Sequence, residues 1–111
     1  MTFVKDENSL KLKEVFKNNT RLKDVHIDVH SKNPLVTSSE PFMLLLRTIE
    51  KNIIVENDGN RFVLKKNDGH GTYVMSVLFS KITECYCMNF KNYSEFILNI
   101  QNIYYKITVF N

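Results

Sequence analysis

At 111 residues and 13.1 kDa, with 43% apolar and 24% charged residues, the chain has the size and composition of one compact domain and leaves no room for two. Fifteen basic and twelve acidic residues give a net charge of +3, with the signs interspersed along the chain. That distribution argues against a stripe dedicated to a polyanion and against an acidic mimic of nucleic acid.

Asn 13, Lys 12, Ile 9, Phe 8 and Tyr 5 supply 47 of the 111 residues, while Ala and Trp are absent. These preferred residues have A/T-rich codons, so the bias points to an AT-rich genome; physical chemistry alone would not remove Ala from a helix-containing protein. The first residues become charged before any signal-like apolar region forms. The longest apolar run, residues 42–46, is far short of the roughly 20 residues that span a bilayer. Cys85 and Cys87 lack the spacing of a disulfide framework. These features predict a cytoplasmic protein without a membrane segment.

Residues 5–19 suit a helix, with Leu12, Val15 and Phe16 on one face and Asp6, Glu7 and Ser9 as capping candidates. The stretch 25–30 alternates strictly, with β-branched residues on one face and His26, Asp28 and His30 on the other. Residues 42–51 favour a short helix over a strand, because Ser39 precedes Pro41 and Phe42, Leu45, Leu46 and Ile49 fall at helical spacing. A four-stranded meander follows over residues 53–56, 61–66, 72–79 and 82–89, with turns at Asp58-Gly59 and Asp68-Gly69 and a tight link at Ser80-Lys81. Residues 92–102 read as a helix carrying Phe96, Ile97, Ile100 and Ile103, with Glu95 in a capping box. The final strand, residues 105–110, is expected to lie beside strand 25–30. The sum is an α+β, two-layer single domain over residues 1–111, with two or three helices packed on one face of a mostly meandering antiparallel sheet.

The pattern His26-x-Asp28-x-His30 invites a metal or acid/base reading. A strand rise of about 3.3 Å per residue separates the two histidine Cα atoms by about 13 Å, however, so they cannot converge on one tetrahedral ion. A solvated strand face is the expectation. Cys85 and Cys87 point the same way from one strand and are expected in the core as small hydrophobes. A small enzyme using His26/His30 or Cys85/Cys87 is the second alternative function. The Gly-x-Gly at Gly69 and Gly71 joins two strands and carries no phosphate-loop meaning. No metal or cofactor site is expected.

Without a surviving catalytic motif, the sequence favours a non-enzymatic binding or inhibitor protein acting by protein–protein contact. The exposed turns supply its expected surface: Asp58, Asn60, Arg61, Lys65, Lys66, Asp68 and His70. Nucleic-acid binding through Lys11, Lys13, Lys17, Lys65 and Lys66 is the first alternative, with Tyr73 or Phe90 as stacking platforms. Tyr104, Tyr105 and Phe110 are candidate partner anchors or core residues, and homodimerisation through a sheet edge is compatible with each reading. In size and composition alone the chain resembles phage inhibitors such as anti-CRISPR proteins, which implies a phage or mobile-element accessory role; no motif is carried over.

Overall fold

A computed structural model of the chain describes residues 7–34 and 44–110. One helix, α1 (Glu7–Val15), precedes seven strands: β1 (Arg21–His30), β2 (Leu44–Asn57), β3 (Arg61–Lys66), β4 (Tyr73–Leu78), β5 (Ile82–Asn89), β6 (Tyr93–Ile100) and β7 (Ile103–Phe110). A 3-10 turn, Phe79–Lys81, links β4 to β5. All strands join one sheet in the order β4-β3-β2-β1-β7-β6-β5, and every neighbouring pair is antiparallel.

Around the sheet this order is the chain order, with β7 returning to pair with β1. Six antiparallel steps separate β4 from β5, so these edge strands run in the same sense. A direct parallel pairing would need a crossover of about a dozen residues. Three residues join them instead, end to end, and the sheet stays an open, up-and-down barrel.

The sheet curls around α1. Phe16, at the helix exit, stacks on Phe62 of β3 at 4.6 Å between ring centroids and meets Phe96 of β6 edge-on at 5.4 Å. Four strand spacings separate β3 from β6, which in a flat sheet is about 19 Å. One ring touches both only because the sheet wraps it. Leu12, Phe16, Val25, Ile53, Val55, Leu64, Leu98 and Ile107 belong to this closed core. The helix is held at both ends by asparagine: Asn8 Oδ1 accepts the Cys87 backbone N–H of edge strand β5, and Asn57 Nδ2 donates to the Phe16 carbonyl at 2.8 Å.

The expected α+β class is corrected here, because strands replace two of the expected helices. Residues 92–102 form β6 and a two-residue turn. The run Phe96-Ile97-Leu98 is buried on both faces of the sheet, and a short apolar run of this kind satisfies helical spacing as readily as a doubly buried strand. Gln101 and Asn102 both have positive φ, 53° and 64°, the signature of a tight hairpin turn rather than a helix end. The described part of 42–51 is the first half of β2, paired with β1 from Leu44 to Ile54; the cap at Ser39 and Phe42 lie outside the described residues. Pairing with the ten-residue β1 overrides the helical preference of the leucines, because intrinsic propensity is small beside tertiary pairing. The expected four-strand meander is also broken, since β4 and β5 follow one another without pairing. The helix at the start (Glu7–Val15), the strand over 25–30, both Asp-Gly turns and the pairing of the last strand with β1 match their expectations.

Candidate functional site

The sheet has an inner face, against α1, and an outer face. Val25 and Ile27 of β1 point inward with Val109 and Ile107 opposite them, so His26, Asp28 and His30 share the outer face, as alternation requires. Cross-strand register sets them in rows. His30 lies beside Tyr104, Tyr104 beside Asn99 and Asn99 close to Glu84; Arg47 lies beside Asp28, Asp28 beside Lys106; Ile49 lies beside His26, His26 beside Thr108 and Thr108 beside Glu95.

Hydrogen bonds and ion pairs link side chains within and between these rows. Arg47 Nε donates to Asp28 Oδ1 at 3.0 Å and Nη2 to Oδ2 at 3.4 Å, a two-point contact that raises the guanidinium pKa. Lys106 Nζ lies 3.5 Å from Glu95 Oε1. Glu84 accepts from Asn99 Nδ2 at 2.8 Å and from the Tyr104 and Tyr86 hydroxyls at 3.1 Å each. These donors hold its carboxyl below the usual glutamate range; in return the bond to Glu84 pushes the Tyr86 phenol up, and burial, followed by the same carboxylate, pushes the Tyr104 phenol up. Burial lowers the His30 pKa despite the opposing pull of Asp28. A groove of about 500 Å³ runs over this face between His26, Arg47, Ile49, Tyr93, Lys106 and Phe110.

The carboxylates of Asp28, Glu84 and Glu95 on this face are engaged by cations, amides or hydroxyls, and among the described residues no group of three His, Cys, Asp or Glu side chains could hold a metal ion. Cys85 and Cys87 lie on the opposite, inner face, packed against the core, as expected from their spacing. Burial pushes the Cys87 thiol up, away from the thiolate a nucleophile needs. The sheet itself therefore separates the histidines of β1 from the cysteines.

The two turns singled out in the sequence sit at opposite ends of β3, about 17 Å apart for six residues, and do not form one surface. Asp58 Oδ1 accepts the N–H groups of Asn60 and Arg61, and Asp68 Oδ1 those of His70 and Gly71, so both aspartates are tied into their own turns. These bonds lower both pKa values. Lys65 pairs with Glu56 at 2.8 Å and lies over the Tyr73 ring at 5.0 Å, while Lys66 pairs with Glu50 at 3.4 Å. Lys13 lies over Phe79; Lys11 is half-buried on α1, and Lys17 is exposed beyond its end. Phe90, exposed, stacks on Tyr93, which meets Phe110.

A feature absent from the sequence reading is the edge of β2. This strand runs for 14 residues, but β3 covers only Ile53 to Asn57. The last backbone bond on that side runs from the Asn67 N–H to the Asn52 carbonyl. Among the described residues, no strand pairs with the same edge over 44–51. Leu45, Leu46 and Ile49 are 53%, 57% and 56% exposed there. Reading 42–51 as a helix hid this edge, although the β-branched run Ile53-Ile54-Val55 just beyond it was a strand signal that continued backward.

The fold and site define a class rather than an individual: an antiparallel open barrel with a helix in its mouth and a bare apolar edge beside a polar groove. No protein-family model matches the chain, and comparison with curated proteins and with solved structures finds no match. Among the described residues no helix is long and apolar enough to cross a membrane.

Proposed function

We propose that this chain is a non-enzymatic protein-binding module that recruits its partner along the bare half of β2. The observation that carries the reading is the exposure of Leu45, Leu46 and Ile49 on a strand edge that, among the described residues, no strand covers. Folded proteins ordinarily blunt such edges with charge, proline or a covering element, because an exposed apolar edge templates pairing. Of the three charges in this half, Glu50 is paired with Lys66, Arg47 is bonded to Asp28 yet faces solvent, and Lys51 is exposed, so the edge would repel a cationic strand and admit an acidic one. As an accessory or inhibitor protein the chain would act by occupying a partner's surface, and Cys85 and Cys87, which form no disulfide, suit a reducing compartment such as the cytoplasm.

The test is affinity capture from a lysate of the source organism with the native chain, a Leu46→Lys/Ile49→Lys double variant and a Lys65→Ala/Lys66→Ala double variant. Loss of the same captured protein with the first variant alone supports the edge. Retention by the first variant and loss with the second would move the interface to the β3 turns.

A further inference from the structure

Beyond locating the interface, and resting on that reading of it, we infer that the partner contributes an extended strand with aliphatic residues at alternate positions and acidic residues between them. Three features of the edge lead there.

The first is length and direction. The free edge of residues 44–51 continues the line of β3, which ends against Asn52. Eight residues at about 3.3 Å each accommodate a strand of about 26 Å, whose side chains fall alternately on the two faces of the sheet.

The second is the inner face. A largely apolar hollow of about 130 Å³ lies on this side, lined by Leu46, Val74, Met75 and Tyr105 with Thr48 as its one hydroxyl-bearing aliphatic. An apolar cavity of about 150 Å³ takes one benzene-sized group, so this hollow suits a single aliphatic side chain. Leu46, more than half exposed, is the β2 residue that such a side chain would cover.

The third is the outer face. The Arg47 side chain is 58% exposed against 11% for Asp28, so the carboxylate is sunk and the cation faces solvent. Lys51, two residues beyond Ile49 on β2, is exposed as well. A strand added to β2 sets its outer-face side chains directly opposite Arg47, Ile49 and Lys51, where opposite charges stabilise and like charges repel.

The experiment uses capped, fluorescently labelled nine-residue peptides titrated with the full chain: alternating isoleucine and glutamate, alternating isoleucine and lysine, and alternating serine and glutamate. The isoleucine/glutamate peptide is expected to bind at least about tenfold more tightly than either of the others, and Leu46→Lys, which puts a charge at the hollow and is shown folded by circular dichroism, is expected to lose that binding. Equal affinity for the glutamate and lysine peptides, equal affinity for the serine and isoleucine peptides, or no saturable binding up to about 1 mM overturns the inference. So does competition by a polythymidine oligonucleotide, which would assign the cations to phosphates, and so does a dimer in light scattering that the Leu46→Lys/Ile49→Lys variant dissociates, which would assign the edge to a second copy. Edge-dependent capture from lysate together with peptide equality would leave the interface in place and remove only the stated partner chemistry.

Discussion

Among the described residues, three of the four non-glycine positions with positive φ are asparagines: Asn19, Asn52 and Asn102, at 68°, 56° and 64°. Asparagine tolerates this left-handed region better than other side chains because its short amide bonds locally. With only three glycines in the chain, asparagine takes turn positions that glycine often fills. The same residue type also ties α1 to the sheet through Asn8, Asn18 and Asn57. The asparagine excess, legible in the sequence only as a mark of codon bias, therefore has structural employment that composition cannot reveal. Asn102→Val should destabilise the fold by about 1–2 kcal/mol, and Asn102→Gly should be neutral or mildly stabilising, as read by urea unfolding.

His30 gives a second prediction at this scale. Its folded pKa lies below the ordinary 6.5 because of burial, so the unfolded chain binds a proton more readily than the folded one. Its contribution is fully present above pH 6.5 and is lost as the pH falls below that value toward the folded pKa. Asp28 opposes the shift, while Lys106 and Arg47 reinforce it. Urea unfolding at about pH 7.5 and about pH 5 should therefore show a smaller loss of stability in His30→Gln than in the native chain. An equal loss in both would mean that other groups set the slope.

At the scale of elements, what was legible followed from periodicity and what was not followed from double burial. Strand 25–30 buries one face and reads as clean alternation. Phe96, Ile97 and Leu98 are all buried, the first and last under α1's side of the sheet and the second on the outer face, so alternation vanishes. Their spacing then imitates a helix. Residues 44–51 failed for a different reason, because their strand state is imposed by the long partner β1 rather than by local preference. Of the candidate site, His26, Asp28 and His30 share one face as read, but the face is not the solvated one expected, since Asp28 and His30 are buried; Arg47, Lys106, Asn99 and Tyr104 reach it through cross-strand register, which a single sequence does not contain. The one remaining helix is indispensable to packing: Phe16→Ala should cost about 3–5 kcal/mol, a large share of the 5–15 kcal/mol typical of a domain. Chemical denaturation checks this, and a loss below about 1 kcal/mol would show that α1 is not the plug described here.

For the molecule as a whole, strand order sets the shape. Seven strands in chain order around a ring cannot all be antiparallel to both neighbours; β4 and β5 run in the same sense and, joined end to end by three residues, do not pair, which leaves the seam of the sheet between them. Helix α1 packs beside β5, bonded through Asn8 to the Cys87 N–H. The half-strand 44–51 is left bare by the shortness of β3, only six residues against fourteen in β2. Because Leu46 and Ile49 already face solvent, replacing them with lysine should change stability by no more than about 0.5 kcal/mol while removing partner binding. That separation of stability from binding distinguishes an interface from a core.

The central claim is tested most directly by amide hydrogen exchange on the chain, free and saturated with its captured partner. In the free chain, the backbone N–H groups of residues 44–51 that do not bond to β1 should exchange rapidly; partner binding should slow them at least about tenfold, with little change at the turns around Asp58 and Asp68. Protection confined to those turns, with residues 44–51 still exchanging freely in the complex, would contradict it.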